Sequence, residues 1–436
     1  MNATTARKGI DFDRLNHILI PKTRARRERW RKSRAAKLAA PLYALYMRLS
    51  AEGRAFAAIA AISSLFALEA RRTDAYLLWG VLTALLASSL LFGRTARLEG
   101  VRAVVQAPPR ITVGDELTFT MTVRNETDRP VESLRFAGPF LPWEGTWLRS
   151  RAALALVARG KSERATMRAR FRERGEPVLG PFHAAALLPL GLAMGPALWI
   201  KAPHFLVVPK RAAVADIVVP RTTRRAVQGT AFSMRAGDSR DFLGVKPYSA
   251  GDPLRDLHAK TWARTGVPIV RQYEQEDAPE ITVLLDTGVT GSGSADEESF
   301  EAAIEVVCGI AEALTRGQAR LTGLVTNDTL VLPRAYGHLN VDRVLDAMAL
   351  VRSGKPFEAA RAISQIEPLL KQSSLVLLVC LGFGPEHEKT QEAIQRRGVA
   401  CRALAVGSAE KGAIADSANV RSMSPEAIRR GKLVQI

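Results

Sequence analysis

The chain has little cysteine and few aromatic residues, and it lacks several motifs that would name an enzyme. Its 436 residues include three cysteines and no CxxC pair, which excludes a disulfide-stapled scaffold. It has no P-loop, no GxGxxG after a strand, no HExxH and no GxSxG. Apolar residues make up 47% of the chain, which excludes wholesale disorder and allows the cores of two or three domains.

Acidic residues are scarce near the start of the chain, where most of the net charge of +19 lies. Residues 1–50 hold 13 Lys and Arg against 3 Asp and Glu, a net +10. Such a charge suggests nucleic acid or an anionic membrane. The segment has no nucleic-acid-binding signature and precedes an apolar stretch, where each Lys or Arg attracts anionic lipid by about 1 kcal/mol. We therefore predict contact with anionic membrane lipids and no nucleic-acid partner.

Two apolar stretches follow the basic segment. Ala75–Gly93 contains 19 residues without a charge, which as a helix would span roughly 28 Å, enough for a bilayer core. Ala55–Leu68 is shorter, and a core or interfacial helix is its alternative. Together they predict a transmembrane helical hairpin. The positive-inside rule then places both the basic segment and the rest of the chain in the cytoplasm.

The next part of the chain has the period of β-strands. In Leu117–Val123 apolar residues alternate with threonines, which is typical of a strand with one buried face. Turn residues flank it on both sides. We predict an antiparallel β-sandwich that serves as a spacer or binding module. Its other strands are predicted at 133–136, 153–158, 164–172 and 205–208.

From residue 280 onward, apolar strands alternate with helical patterns. Ile281–Asp286 is a buried strand that ends in a carboxylate, and a helix is predicted over 298–316. This alternation indicates a doubly wound α/β domain with a parallel sheet covered on both faces. Ligands bind such sheets at the carboxyl ends of the strands, which makes Asp286 a candidate site residue. Further strands are predicted at 319–326, 330–332, 374–380 and 401–406, and further helices at 341–351, 358–370 and 386–397.

A segment dense in charged groups, which we call the box, joins these two parts. It reads Gly237-Asp-Ser-Arg-Asp241, then Gly251-Asp-Pro-Leu-Arg255 and Asp256-Leu-His-Ala-Lys-Thr-Trp-Ala-Arg264. Its groups predict a latch of salt bridges between domains, a surface for a partner or an anion, or, third, catalysis. The candidate residues are Asp241, Asp252, Arg255, His258, Lys260 and Arg264.

With this box, Arg174-Gly175 and Leu188-Pro-Leu-Gly-Leu192, the chain resembles bacterial domain-of-unknown-function family 58 from residue 53 to about 407. Ala259 stands where the family usually has Trp. The resemblance implies a membrane hairpin, a β module and a von Willebrand A-like domain, at the bacterial cytoplasmic membrane with soluble domains facing the cytoplasm. It also implies a MoxR-type AAA+ ATPase as a partner in protein remodelling or maturation.

The resemblance also raises a metal site, because many A-type domains hold Mg²⁺ with an Asp-x-Ser-x-Ser loop. Here the loop is Asp286-Thr-Gly-Val-Thr290, so Asp286 and Thr290 are the residues that could still bind the ion. Gly288 offers no side-chain ligand, and 381–384 contains no Asp. We therefore expect no cofactor, with Mg²⁺ as the alternative.

Two functions follow from these features. The first is a membrane-anchored protein-interaction or adaptor protein without enzymatic activity. The alternative is a metal-dependent phosphoesterase or nuclease that uses Asp286 with the nearby carboxylates at 296–298 and 328. Favourable charge in the first turn of a helix explains 296–298 without a metal.

The predicted division of the chain has six parts. They are a basic segment (1–52), a transmembrane hairpin (53–97), a β-sandwich (98–215), the connecting box (216–279), the A-like domain (280–410) and a C-terminal tail (411–436).

Overall fold

The structure is a computed structural model that describes residues 45, 48–67, 73–92, 98–141, 145–188, 190–215, 217, 242–249, 252, 254–273, 279–289, 294–316, 319–326, 329–332, 341–407 and 419–435. The chain divides into two compact units, Met1–Val208 and Pro209–Ile436. Each unit is described by itself.

The first unit contains two helices that pack against each other, α1 (Ala51–Ala67) and α2 (Thr73–Phe92). Many of their apolar side chains are exposed, among them Leu65 at 69% and Leu91 at 74%. Within the described residues, no helix combines the length and the apolar character needed to cross a membrane. Two helices thus lie where a hairpin was predicted, but its transmembrane character is not supported.

The start of α1 is fixed to a loop of the β module. Ser50 N donates to Leu192 O at 3.0 Å, and Met194 N donates to Arg48 O at 2.8 Å. The approach is so close that a Cβ at Gly53 would lie 1.8 Å from Leu192 O. Ser50 also caps the helix, since its Oγ accepts from Gly53 N at 2.8 Å. The loop therefore positions the helical pair on the β module.

The β module consists of two four-stranded antiparallel sheets, β1-β3-β7-β5 and β6-β4-β8-β9, and a parallel pair of β2 with β10. The strands are β1 (Val101–Gln106), β2 (Arg110–Thr112), β3 (Glu116–Asn125), β4 (Val131–Ala137), β5 (Gly145–Arg149), β6 (Arg151–Val157), β7 (Ser162–Phe171), β8 (Phe182–Ala186), β9 (Leu198–Ile200) and β10 (Leu206–Val208).

The predicted alternation in β3 is confirmed. Leu117, Phe119, Met121 and Val123 are fully buried, and the threonines between them are partly exposed. Because successive side chains of a strand point to opposite faces, this spacing places every apolar residue in the core. The core also contains residues of β4 and β8, such as Phe136, so both sheets contribute to it.

The second unit, which starts at Pro209, contains the described part of the box. Strands β11 (Phe242–Pro247) and β12 (Ile269–Tyr273) pair antiparallel. Between them lie a single 3₁₀ turn (Leu254–Asp256) and a short helix, α3 (Ala259–Thr265), neither of which contains a buried residue.

The rest of the unit is an α/β domain with a six-stranded sheet, in the order β15-β14-β13-β16-β17-β18. Five strands are parallel and β15 is an antiparallel edge. The strands are β13 (Glu280–Leu285), β14 (Arg320–Thr326), β15 (Leu330–Leu332), β16 (Leu375–Cys380), β17 (Ala400–Val406) and β18 (Val420–Met423). The helices are α4 (Ser294–Arg316), α5 (Val341–Leu350), α6 (Ala359–Leu370), α7 (Pro385–Arg396) and α8 (Pro425–Arg429).

The sheet forms the core of this domain. Buried residues of α6 and α7, including Ile366 and Ile394, cluster with Leu284 and Leu378 on one face. Helix α4 packs against β13, β14, β16 and β17. The sequence-based predictions of a multidomain chain, antiparallel sheets and an α/β domain with parallel strands are therefore confirmed.

Candidate functional site

The candidate site lies where β13 and β16 end. The chain passes from β13 outward to β14 and then returns to β16 on the other side of β13. The strand order thus reverses between β13 and β16, and in open α/β sheets such a switch point is the usual place for a ligand. Asp286 follows β13 directly, and its backbone N–H bonds Val379 O of β16 at 2.8 Å. Its side chain is buried, with the residue only 3% exposed.

The Asp286 carboxylate accepts hydrogen bonds from Gly288 and His387. Oδ1 accepts from Gly288 N at 2.7 Å, and Oδ2 is 3.0 Å from Nε2 of His387. His387 lies in the first turn of α7, and Gly384 N donates to its Nδ1 at 3.1 Å. Four residues therefore form one continuous chain of hydrogen bonds from Gly384 to Gly288.

This chain of hydrogen bonds determines where the histidine proton lies. Nδ1 accepts the Gly384 N–H, so it carries no proton of its own. The proton of the neutral ring is then on Nε2, which donates to Asp286 Oδ2. The arrangement stabilises an ionised carboxylate by hydrogen bonds, because a buried charge without such partners would be costly.

Aromatic rings hold the imidazole in place. Phe357 stacks on His387 with ring centroids 4.3 Å apart and an interplanar angle of 21°. Phe383 lies farther away, at 6.0 Å and 28°. A hydrogen bond from Ala359 N to Glu386 Oε2, at 3.0 Å, joins the starts of α6 and α7 beside the stack. The bond to Ala359 N and the nearby Lys389 hold the pKa of Glu386 below its usual value, with Lys389 the larger cause.

The segment 354–357 closes the site over the loop that follows Asp286. Gly354 N donates to Thr287 O at 2.8 Å. A Cβ on Gly288 would lie 2.7 Å from Lys355 O and 2.8 Å from Phe357 N, both backbone atoms. A residue larger than glycine therefore does not fit at 288 unless this segment moves.

The described residues do not fit the Mg²⁺ that the family resemblance implies. Mg²⁺ requires near-octahedral oxygen ligands at about 2.0–2.1 Å. Here both carboxylate oxygens accept from N–H donors, and backbone crowds Gly288. Among the described residues, no group of three or more His, Cys, Asp and Glu could hold a metal. Thr290, the second predicted ligand, lies outside the described residues.

Two cysteines of the sheet, Cys380 at the end of β16 and Cys401 at the start of β17, are buried and unreactive in character. Burial raises the pKa of Cys401 to about 12. Burial, and then the charge of Asp286, raise the pKa of Cys380 well above its usual value. Because the thiolate is the reactive form, neither residue has the properties of a nucleophile.

The predicted box residues lie apart from Asp286 in the sequence and mostly at the surface. Arg255, Lys260 and Arg264 are exposed. Asp252 accepts from Lys246 Nζ at 2.8 Å and from Ser249 N at 2.9 Å. These two bonds, that with Lys246 being the larger cause, hold the pKa of Asp252 below its usual value.

His258 has a structural position at the start of α3. Its Nδ1 accepts from Thr261 N at 3.3 Å and lies 2.6 Å from Thr261 Oγ1, so the ring caps the helix. Asp241 lies outside the described residues.

His387 was not among the sequence-based candidates, although it is the partner of Asp286. The signal that could have identified it is its position. It lies seven residues after the predicted strand at 374–380, in the first turn of the next helix. The first turn after a parallel strand lies at the edge where Asp286 is found.

The fold and the site define a multidomain protein whose α/β domain holds its switch-point carboxylate with a histidine of the same domain. Residues 244–410 match the model of the family described as "Protein of unknown function DUF58". The matched segment includes most of the described box and most of the α/β domain, and over these residues the sequence-based assignment to this family is confirmed. No curated protein matches the chain.

Several solved structures show low similarity. AvmM, which catalyses macrocyclization in alchivemycin A biosynthesis, is 13% identical with a TM-score of 0.17, over 25% of this chain and 88% of its own. The yeast delta-COP-I mu-homology domain is 11% identical with a TM-score of 0.16, over 25% and 57%. A GH20 exo-β-N-acetylglucosaminidase of Vibrio harveyi is 10% identical with a TM-score of 0.18, over 77% and 81%. Scores this low carry no argument about function.

Proposed function

We propose that this chain is a membrane-anchored protein-interaction protein, and that the box is the surface that binds its partner. The observation that carries the proposal is the exposure of large apolar side chains on a very small substructure. Leu254 is 68% exposed and Trp262 is 42% exposed, and α3 buries none of its own residues. Val267 and Val245 are exposed on the same substructure.

The chemistry of this surface matches that of protein interfaces. Tryptophan and arginine are enriched among the residues that dominate binding energy, and exposed basic groups select an acidic partner. Exposed Arg255, Lys260 and Arg264 accompany Trp262 and Leu254. The expected partner therefore has an apolar anchor with acidic groups around it. On the family resemblance, we propose a MoxR-type AAA+ ATPase that acts in protein remodelling or maturation.

We further propose that α1 and α2 attach the protein to the bacterial cytoplasmic membrane, with the soluble domains in the cytoplasm. The exposed apolar side chains of the pair support this location, since contiguous exposed apolar surface marks interaction sites. Tyr76, Leu77, Leu78 and Val81 lie together on α2 and are all more than half exposed. The basic segment 1–50 adds attraction to anionic lipid.

Within the α/β domain, which we interpret as von Willebrand A-like, the bound carboxylate of Asp286 favours an interaction role over metal-dependent hydrolysis.

The partner proposal is tested by binding of the purified full-length chain to a MoxR-type ATPase from the same genome. We expect Trp262→Ser to weaken binding at least about 30-fold, because truncating a central aromatic residue costs about 2 kcal/mol or more. Trp199→Ser is the matched control, since Trp199 is 61% exposed but lies on β9 of the β module. Equal affinities for the wild type and both variants would refute the box as the binding surface.

The membrane proposal is tested by flotation of the full-length chain with lipid vesicles. We expect the protein to float with phosphatidylglycerol-containing vesicles. Replacing Leu77, Leu78 and Val81 together by serine should reduce flotation. A protein that stays at the bottom of the gradient with every vesicle would contradict membrane attachment and leave the partner test unaffected.

A further inference from the structure

The α/β domain has a buried carboxylate at its switch point, and the protein itself supplies N–H donors to both of its oxygens. Asp286 accepts hydrogen bonds from a backbone N–H at Gly288 and from the imidazole of His387. The two residues of the pair are 101 positions apart and come from different elements. We propose that His387 is a built-in substitute for a metal ion, so that its Nε2–H faces Asp286 Oδ2 where a cation would bind and organises this end of the sheet without an ion.

The first argument is that the ring is held in the orientation that this role requires. Gly384 N donates to Nδ1 at 3.1 Å, and Phe357 stacks on the ring at 4.3 Å. The backbone N–H at Nδ1 leaves Nε2 as the protonated nitrogen, as in sites where a second partner selects the histidine tautomer. The proton therefore points at the carboxylate in the resting protein.

The second argument is that a metal could not simply join the pair. A cation at about 2.0–2.1 Å from Oδ2 would meet the partial positive charge of Nε2–H, which is 3.0 Å from the same oxygen. His387 could itself become a ligand only if its proton moved to Nδ1. That proton would then face the N–H of Gly384, donor against donor.

The third argument is the closure of the adjoining loop. Gly288 stands at the position where the metal-binding A-type loop has its first serine. A Cβ there would contact the backbone of residues 355–357 within 3.0 Å. The same segment carries Phe357, which stacks on His387. Residues 355–357 therefore exclude a serine hydroxyl at position 288 and also hold His387, the residue that replaces the cation.

The test uses the full-length chain with ¹⁵N-labelled histidine and Mn²⁺ as the probe. We expect the ring spectrum of His387 to show a protonated Nε2 and an unprotonated Nδ1, with its signals unbroadened by Mn²⁺. Calorimetry with Mg²⁺ and Mn²⁺ should give no heat that depends on Asp286. Paramagnetic broadening of the His387 signals, or a heat of binding lost in Asp286→Ala, would overturn the proposal.

Two substitutions at the same position separate this role from simple packing. His387→Gln keeps an N–H donor that can reach Asp286, whereas His387→Asn reaches only far enough to accept from Gly384. We expect the thermal midpoint of His387→Gln to stay close to the wild-type value and that of His387→Asn to fall. The reverse order would overturn the proposal, as would a wild-type midpoint that falls in EDTA. These measurements do not depend on any partner, so their failure is distinct from failure of the box as a binding surface.

Discussion

Replacing Gly288 by serine restores the first serine of the A-type metal motif, and we predict that it destabilises the α/β domain. The new Cβ would lie 2.7 Å from Lys355 O and 2.8 Å from Phe357 N. Both are backbone atoms, so the segment must move. Overpacking of this kind costs roughly 1–3 kcal/mol. Loss of the Gly354 N to Thr287 O hydrogen bond adds about 1 kcal/mol.

The assay is hydrogen exchange by mass spectrometry on the full-length chain, which reports the stability of each region separately. A loss of about 2–4 kcal/mol corresponds to exchange roughly 30- to 1000-fold faster in β13 and α7. The matched control is Gly384→Ala in the same site. Its Cβ would meet only His387 Nδ1, at 3.9 Å, and its φ of −132° suits any residue.

Unchanged exchange in Gly288→Ser would refute the reasoning, because it would mean that residues 354–357 do not close the site. Slower exchange of this variant in the presence of Mg²⁺ or Mn²⁺ would also refute the proposal that His387 replaces the metal ion, since it would show that a hydroxyl is enough to restore an ion site.

Three further predictions follow from other parts of the chain. Gly53→Ala should lower the thermal midpoint of the first unit, because it displaces α1 from Leu192 O and breaks two hydrogen bonds, at a cost of about 2 kcal/mol. Gly80→Ala is the control and should raise the midpoint through helix propensity, since its Cβ meets nothing within 4 Å. Equal midpoints for these two variants would contradict the docking of α1. Cys401 should resist thiol reagents at pH 8 until the chain unfolds. Because its pKa is about 12 in the folded protein against an ordinary 9.0, its contribution to stability should be intact below pH 9 and should fall as the pH rises toward 12. In Cys401→Ala this fall in stability should be smaller. Leu190→Gly should raise the thermal midpoint of the first unit, because a φ of 71° costs a residue with a Cβ roughly 1–2 kcal/mol. A lower midpoint would show that contacts of the leucine side chain outweigh this backbone strain.

Local patterns were sufficient to predict the strongly patterned elements of both units. The apolar residues of Leu117–Val123 alternate strictly, and all of them are buried in β3. The apolar run of Ile281–Asp286 became a central parallel strand with its carboxylate at the carboxyl end. Such patterns predict strands because side chains alternate between the two faces of a strand, and because a central parallel strand is buried on both faces, so consecutive residues carry the signal. Short, half-exposed elements such as β9 and α3 have no such pattern and were not predicted.

Apolar length predicted where the two helices lie but not how α1 contacts the β module. The uncharged stretch Ala75–Gly93 predicted a bilayer span, and a helix does form over most of it. No described helix is long and apolar enough to cross a membrane. What the sequence did not indicate is the docking of α1 on the loop around Leu192, because that contact is made by backbone groups.

By itself, the sequence determined that Asp286 ends a buried strand at an edge where ligands bind, and that its metal-binding loop is incomplete. Only the tertiary structure decided what the carboxylate binds instead. His387 is 101 residues away, and nothing in its local pattern names Asp286 as its partner. The pairing arises because neighbouring parallel strands bring their carboxyl ends together, whatever the distance along the chain. A buried charge then requires donors there, and the backbone of Gly288 and the imidazole of His387 supply them.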